Sequence, residues 1–307
     1  MSKILLLGAT GLIGSSVYRW LEKEHPITRL GRSAECELKG DLSKPDSIAA
    51  VELDDFEVLV HCAGVTDEDF RSRPGDAYIQ SSIGLNALIK KAIAARIKRF
   101  IYISTSHVYG RQVGTINESS PPDPLSDYAI AHFAAEQTLK RNASSFERVF
   151  VLRPNAVFGG PLFLEKFDRW SLIPYSFPLE AVYTQKIVLR SSGEQNRNFV
   201  GTDDIARYVE SLIASTEGGS FEVVNAVGKD TMSVYEFGLK CCEIYREVTG
   251  KACTVERPEF QPQSKEDEFC YESNFDFSIA KDDIEVATTS LINTIAQEFK
   301  NGKKYSA

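Results

Sequence analysis

The chain has 307 residues, enough for one large domain or two moderate ones with a sizeable buried core. Hydrophobic residues make up 43% of it and charged residues 25%, a composition that excludes disordered and fibrous proteins. The formal net charge of -8 argues against a nucleic-acid partner, because a protein that binds the phosphate backbone needs an excess of positive charge.

The first residues, MSKILLLGATGLIG, contain an apolar core, but glycines interrupt it and no small-residue cleavage site follows. We expect a buried first strand there rather than a signal peptide. No apolar run approaches the roughly 18 to 20 residues that span a membrane, so we expect a soluble protein with no membrane partner. The six cysteines show no CxxC pair and no histidine at metal-ligand spacing, which favours reduced thiols, no metal site and a cytoplasmic location.

Up to residue 160 the chain alternates between short apolar runs and helical patterns, which predicts βαβ units feeding a parallel sheet. The predicted strands are KILLLG, PITRLGR, EVLVHCAG, RFIYIST and RVFVLRPNAVFG. The predicted helices are SSVYRWLEKE, GLNALIKKAIAARI and the run SDYAIAHFAAEQTL, where Ser126 or Asp127 caps the first turn.

Beyond Gly160 the pattern changes. PLFLEKFDRWSLIPYSFPLEAVYTQ is rich in prolines and aromatics without clean periodicity, which predicts a lid or pocket wall rather than scaffold. Regular structure is predicted again at IVLRSS, NFVGTDDIARYVESLIAS, SFEVVNAV and MSVYEFGLKCCEIYREVTG, followed by a loop-like tail from Arg257 to Asp276 and a last helix near Ala287 to Phe299.

We therefore expect an α/β protein: a Rossmann-like doubly wound parallel sheet with a smaller, discontinuous C-terminal substrate domain. Residues 1–160, with about 187–227 returning to the sheet, would form the dinucleotide-binding domain. Residues of about 161–186 and 228–307 would form the substrate-binding region.

The segment GATGLIG places Gly8, Gly11 and Gly14 directly after the first strand and at the mouth of a helix. Glycine is needed where the backbone turns tightly and approaches a pyrophosphate, whose charge the helix amides and dipole stabilise. This context predicts dinucleotide binding.

The glycine spacing is GxxGxxG, and GDLSKPDSI, HCAGVT, ISTSHVYG, LRPNAVFGG and RNFVGTDDIA follow it in order. These segments resemble those of the extended short-chain dehydrogenase/reductase superfamily, in its branch of nucleotide-sugar epimerases, dehydratases and reductases. The resemblance runs from Lys3 to about Val227 and more faintly to the end. It implies an adenine contact at Asp41 and a ribose contact through Ala63 and Gly64. The remaining cofactor contacts that it implies are Thr10, Leu12, Ile13, Leu42 and Cys62.

NAD enzymes of this fold usually present an acid to the ribose hydroxyls after the second strand, but this chain has Gly31, Arg32 and Ser33 there. An arginine can pair bidentately with a 2′-phosphate. NADP(H) is therefore favoured and NAD(H) remains possible, with a merely solvated Arg32 as the alternative.

The resemblance implies that Thr105 bonds the substrate oxygen and that Tyr128, 23 residues later, exchanges its proton. The family carries a lysine four residues after this tyrosine, where it holds the nicotinamide ribose and lowers the tyrosine pKa. Here that residue is His132, which can bond a ribose hydroxyl or the tyrosine oxygen but carries a less secure charge. A neutral histidine would stabilise tyrosinate poorly, so we favour reduction, in which tyrosine acts as an acid.

On the substrate side, Ser106 and His107 stand where the dehydratases of the family carry an Asp-Glu pair, which disfavours a 4,6-dehydratase. Arg197 and Arg257 resemble arginines that bind the diphosphate of nucleotide sugars, and Asn155 resembles a pocket-lining residue. Alternatively, Arg197 braces Asp203 or Asp204, Arg257 is solvated, and His107 is either an auxiliary acid/base or a substrate contact. The aromatic segment from Phe163 to Tyr183 would form the sugar or base wall.

Three functions remain open. The favoured one is an NADP(H)-dependent oxidoreductase that acts on a nucleotide-linked sugar, most simply a 4-keto reductase with Tyr128 as proton donor. The second is an NAD(P)-dependent nucleotide-sugar epimerase, and the third is a catalytically impaired NADP(H)-binding sensor or scaffold. The resemblance also implies a homodimer that pairs the helices of residues 84–96 and 128–141.

Overall fold

The computed structural model describes residues 1–161, 164, 167–216, 218–258, 269–275, 279–303 and 305. The largest element is a parallel sheet of seven strands in the order β11-β7-β5-β4-β1-β2-β3. Its strands are β1 (Ile4–Leu7), β2 (Ile27–Gly31), β3 (Leu38–Lys39), β4 (Val58–His61), β5 (Arg99–Ile103), β7 (Arg148–Pro154) and β11 (Phe221–Ala226). The order reverses at β1, as in a doubly wound sheet, and this confirms the predicted fold class.

Helices cover both faces of this sheet. They are α1 (Leu12–Leu21), α2 (Pro45–Ala49), α3 (Asp67–Ser72), α4 (Pro74–Ile79), α5 (Leu85–Ala94), α6 (Asp127–Asn142) and α8 (Thr202–Ala214). Side chains alternate along a strand, so β1 feeds two cores. Leu5 and Leu7 pack towards α2, α5 and α6, whereas Ile4 and Leu6 pack towards α1 and α8.

A third core lies beside the sheet and joins α7 (Ile173–Thr184), α9 (Val234–Thr249) and α10 (Ile284–Lys300). The remaining strands are β6 (Thr115–Ile116), β8 (Ala156–Phe158), β9 (Lys186–Val188), β10 (Asn196–Gly201), β12 (Asp230–Ser233), β13 (Thr254–Glu256) and β14 (Cys270–Tyr271). They form three small sheets: β12-β10-β8, β13-β9 and β14-β6. The proposed domain boundaries stay a prediction.

Several local predictions were wrong. RVFVLRPNAVFG is not one strand, because β7 ends at Pro154 in the large sheet and β8 pairs with β10 instead. Of the stretch 187–227, β11 joins the large sheet, whereas β9 and β10 belong to small ones. The tail predicted as loop contains β14; its residues 259–268 and 276 lie outside the described residues.

The aromatic segment after Gly160 was also misjudged in part. Its second half is α7, whose Tyr175, Phe177 and Ala181 are buried against α9, so this half is scaffold. Its aromatic side chains point to several sides of the helix, which explains the missing periodicity. Phe163 lies outside the described residues. None of the described helices has the length and apolarity needed to cross a membrane.

Candidate active site

The glycine loop lies between β1 and α1 and folds closely onto itself. Gly8 has a φ of +80°, and a Cβ there would lie 2.7 Å from the backbone nitrogen of Ala63. A Cβ at Gly14 would lie 2.1 Å from the Gly8 carbonyl oxygen, closer than a carbon and an oxygen that are not bonded can approach. The amide of Gly11 donates to that same oxygen at 3.0 Å. The loop therefore presents bare backbone at the start of α1, which is the cradle that a pyrophosphate needs.

Two adjoining cavities of 350 and 670 Å³ run along the carboxyl ends of the strands. Both are lined by Gly8, Thr10, Arg32, Ser33 and Ala63, so they form one groove. Asp41 and Leu42 line the smaller cavity. The larger cavity is lined by Gly11, Leu12, Ile13, Cys62, Gly64, Tyr128 and His132. Every predicted cofactor residue except Gly14, which acts through packing, thus lies on this groove, and the site fits a dinucleotide.

At the smaller cavity, the Asp41 carboxylate accepts from the Ser43 amide at 3.0 Å and the Ser43 hydroxyl at 2.8 Å. Arg32 is exposed and forms no ion pair with a described carboxylate. Ser33 donates to the acid Glu35, a negative group near the position at which a 2′-phosphate would lie.

Tyr128 lies in the first turn of α6, where the Ser126 hydroxyl caps the Ala129 amide at 3.2 Å. The helix start aims the half-buried phenol at the larger cavity. Burial raises the pKa of Tyr128, and a hydrogen bond from the Thr105 hydroxyl partly offsets this rise. Thr105 follows β5, where its hydroxyl also caps the His107 amide. Thr105 and Tyr128 are thus neighbours, and their joint role stays a prediction.

His132 is 3% exposed and lies one turn after Tyr128, with the two ring centroids 4.6 Å apart. Its Nε2 lies 3.2 Å from the Val65 carbonyl oxygen, which can only accept, so Nε2 carries the hydrogen. Its Nδ1, 2.8 Å from the Tyr102 hydroxyl, is then the acceptor. Burial lowers the pKa of His132 to about 4, so the ring is neutral. A bond from His132 to a ribose hydroxyl would require one of these two bonds to break.

A buried ion pair lies behind this histidine. Arg153 pairs with Glu136 at 3.0 and 2.5 Å, and Glu136 also accepts from the Ser104 hydroxyl at 2.5 Å. Both charged residues are almost fully buried. The Arg153 guanidinium also lies 4.7 Å from the centre of the Tyr109 ring. The positive charge of Arg153 is thus neutralised by Glu136 and does not act on Tyr128.

The residues predicted to contact the substrate lie at different distances from Tyr128 and from the two cavities. The His107 ring lies 5.8 Å from that of Tyr128, and desolvation followed by the charge of Arg197 lowers its pKa. Ser106 and Asn155 are joined through Gln112, at 2.9 and 3.1 Å. None of these residues lines the two cavities described above.

The two arginines also differ. Arg197 is partly buried and forms no ion pair with a described carboxylate; its guanidinium donates to the Asn196 carbonyl oxygen at 2.8 Å. The bracing alternative is wrong, because Asp203 pairs with Arg19 and Asp204 with Arg207 instead. Arg257 pairs with Glu194 and stacks on the Tyr235 ring at 3.5 Å, so it is neither solvated nor free.

Sequence reasoning missed several cavity residues. Gln80 lines both cavities and donates to the Ala63 carbonyl oxygen at 3.1 Å. Asp69 and Arg73, joined at 2.6 Å, and the neighbours Asp168 and Arg169 line the larger one. These residues belong to no sequence motif. The only signal in the sequence was that they are polar or charged and lie close to segments predicted to line the pocket.

Comparison with known proteins decides the family. The sequence profile described as the NAD dependent epimerase/dehydratase family matches residues 4–226. This chain belongs to that family. It is therefore a member of a family of nicotinamide-dependent enzymes of the extended short-chain dehydrogenase/reductase type, as predicted from the motifs.

Individual relatives are distant. A dTDP-D-glucose 4,6-dehydratase of Mus musculus is 25% identical over 278 residues, which cover 82% of this chain and 75% of that protein. Among solved structures, a UDP-N-acetylglucosamine 4-epimerase from Methanobrevibacter ruminantium M1, in complex with UDP-N-acetylmuramic acid, has a TM-score of 0.77 at 21% identity, with 98% and 99% of the chains covered. MoeE5 in complex with UDP-glucuronic acid and NAD has a TM-score of 0.75 at 20% identity, with 97% and 99% covered. Likeness at this level establishes the fold.

Proposed function

We propose that this protein reduces a keto group on a nucleotide-linked sugar, most simply at the 4-position, with Tyr128 as proton donor. The observation that carries the proposal is the 670 Å³ cavity, which Tyr128 shares with the glycine loop. A nicotinamide cofactor bound there would supply a hydride to the carbonyl carbon. Thr105 would bond the carbonyl oxygen, and Tyr128 would protonate it.

The protonation states favour reduction over the opposite direction. Burial raises the pKa of Tyr128, and its helical neighbour His132 is neutral. A tyrosine with a raised pKa holds its proton at neutral pH and serves as an acid, whereas an oxidation needs it as a base.

The proposed cofactor is NADP(H), on the strength of Arg32 at the rim shared by both cavities. NAD(H) stays the alternative, since MoeE5 was solved with NAD and Glu35 lies beside Ser33. Replacing Arg32 with glutamate separates the two: we expect weaker NADPH binding and unchanged NADH binding by fluorescence titration. An equal loss of affinity for NADPH and NADH would contradict the proposed preference for NADP(H).

The substrate class rests on Arg197, a partly buried guanidinium without a described carboxylate partner. Such a group suits a diphosphate, because charge-assisted bonds offset the cost of its desolvation. Arg257 would contribute only after release from Glu194. Asn155, Ser106 and His107 would line the sugar side.

The enzymatic alternative is a nucleotide-sugar epimerase, favoured by the epimerase fold neighbours. The decisive experiment incubates the protein with NADPH and a panel of nucleotide-linked 4-keto sugars while nicotinamide absorbance and product mass are followed. A reductase oxidises NADPH in step with product. Epimerised product without net oxidation would support the alternative.

Tyr128→Phe is the matched control, because it keeps the ring and removes the acid. We expect it to bind cofactor and to lose about 10²- to 10⁴-fold in rate, the usual contribution of a general acid. Cofactor binding without turnover across the whole panel would overturn the reductase and favour a sensor or scaffold.

We also propose a homodimer in the cytosol. Ile130, 48% exposed, lies on one of the two helical regions that the family resemblance pairs between subunits, and Ile83, 59% exposed, immediately precedes the other. All six cysteines lie within the described residues and none forms a disulfide bond, which suits a reducing compartment.

A further inference from the structure

The proposed reduction leaves one electrostatic problem. When Tyr128 gives its proton to the substrate, a phenolate remains at a poorly hydrated site, where a lone negative charge is costly. In the family motif, the positively charged lysine would stabilise this phenolate. His132 cannot, because burial keeps its ring neutral and both ring nitrogens are already bonded.

A different cation faces the same cavity. Arg169 lies on the segment before α7 and lines the 670 Å³ cavity together with Tyr128 and His132. Its neighbour Trp170 is buried and stacks on Phe167 edge to face with the centroids 5.0 Å apart, and the Arg169 carbonyl accepts from the Leu172 amide at 3.1 Å. The backbone that carries Arg169 is thus held in place.

Within the part of the chain that the structure describes, no carboxylate forms an ion pair with Arg169. Arg73 pairs with Asp69, and Arg153 with Glu136. Arg32 lines the same cavity without a described carboxylate partner, but it lies at the rim beside the glycine loop, and Arg197 does not line the cavity. Arg169 is therefore available to an anion in the cavity.

The groups around Tyr128 come from four elements. His132 lies on α6; Thr105 and His107 follow β5; Asp67 begins α3; and Arg169 precedes α7. The charge of Arg169 lowers the pKa of Tyr128, whereas that of Asp67 raises it. Burial is the main reason why the pKa of His132 is lowered, and the charge of Arg169 adds a smaller effect in the same direction.

We propose that Arg169 is the cation that stabilises the Tyr128 phenolate, in place of the lysine that His132 replaces. This inference rests on the proposed reduction. As the carbonyl carbon gains the hydride supplied by the reduced nicotinamide, its oxygen takes the proton of the Tyr128 hydroxyl. The O–H bonding pair stays on Tyr128 as phenolate, Arg169 balances that charge, and water reprotonates the oxygen after product leaves.

The first test needs neither cofactor nor substrate. The chain has 12 tyrosines, and in protein labelled with ¹³C at tyrosine Cζ the Tyr128 resonance is the one absent from Tyr128→Phe. We expect Arg169→Gln to move the titration of this resonance to higher pH by about one unit, the low end of the effect of an opposite charge. Arg246→Gln, an exposed arginine on α9, removes the same charge far from the site and should leave it unchanged.

An unchanged Tyr128 titration in Arg169→Gln, with the other tyrosine resonances preserved, would overturn the inference. Arg169→Lys keeps the charge and should titrate near the wild-type pH. Because this measurement is made on the free protein, it decides the role of Arg169 even where the search for reductase turnover fails.

Kinetics give a second readout once a substrate is found. Reduction needs protonated Tyr128, so its rate falls as pH rises through the tyrosine pKa. Loss of the Arg169 charge raises that pKa, so the basic limb of the kcat profile should move up while kcat at neutral pH falls about tenfold. A raised KM with an unmoved basic limb would mean that Arg169 binds the substrate diphosphate instead, and would overturn the proposal.

Discussion

The Tyr102 hydroxyl lies 2.8 Å from His132 Nδ1 and joins the central strand β5 to the helix that carries Tyr128. On the other side of the ring, Nε2 donates to the Val65 carbonyl oxygen in the loop after β4. His132 is therefore a neutral bridge between three elements. It occupies the sequence position of the family lysine, but it carries no charge that could stabilise the Tyr128 phenolate.

This bridge predicts that restoring the family lysine is harmful. In His132→Lys an ammonium would enter a site that depresses the charged form of histidine, and the Tyr102 hydroxyl would lose its acceptor. We expect a loss of about 1–3 kcal/mol in unfolding free energy, the cost of an unsatisfied buried polar group, measured by urea denaturation. His132→Gln, which can still donate to Val65, should lose less. Equal stability of His132→Lys and wild type would refute the bridge.

Stability should also fall in mild acid. Burial lowers the pKa of His132 to about 4 and that of His61 to about 3, whereas a histidine in the unfolded chain titrates near about 6.5. Between these values the unfolded chain binds more protons, so unfolding free energy decreases as pH drops below about 6.5, by up to about 1.4 kcal/mol per pH unit for each histidine. Denaturation at several pH values should show a shallower decrease in His132→Gln, and an unaltered slope would contradict a neutral His132.

The buried ion pair of Glu136 and Arg153 predicts an asymmetric mutational response. Glu136→Gln leaves the Arg153 charge buried without a counter-ion and should cost about 3–5 kcal/mol in unfolding free energy. The double variant Glu136→Leu with Arg153→Met removes both charges and should recover much of that loss. A double-mutant cycle by urea denaturation, with the single variants Glu136→Leu and Arg153→Met, measures this coupling, and simple additivity of these two single changes would count against it.

Two of the three glycines of the cofactor loop, Gly11 and Gly14, are expected to tolerate substitution differently. A Cβ at Gly14 would lie 2.1 Å from the Gly8 carbonyl oxygen, whereas one at Gly11 would lie 3.4 Å from it. In thermal unfolding of the free protein, we expect Gly14→Ala to lower Tm strongly and Gly11→Ala to change it little. Similar Tm values for both variants would mean that the loop does not pack as described.

The proposed homodimer predicts an effect of charge at exposed apolar positions. Ile83→Arg and Ile130→Arg should shift the mass measured by light scattering from dimer to monomer, because a charge buried in an apolar interface is costly. Val286→Arg, at an apolar residue of α10 that is 68% exposed, is the matched control. A mass that is the same in all three variants and wild type would exclude this interface.

The sequence by itself determined the parallel sheet, the glycine loop and the helix start that presents Tyr128. These features depend on local signals: apolar runs, glycine spacing and the cap at Ser126. The same locality explains the failures. Pro154 interrupts the apolar run and marks the end of β7 locally, but no local signal shows that the chain then changes its pairing partner from β11 to β10.

Only the tertiary structure decided the electrostatics of the site. The state of His132 depends on Tyr102 and Val65, which lie 30 and 67 residues away in the chain, and Arg257 is paired with Glu194 across 63 residues. Burial and the partners brought by folding decide whether an ionisable group is charged. The sequence shows that a lysine is missing after Tyr128, and the fold shows why a neutral histidine replaces it and which arginine faces the same cavity.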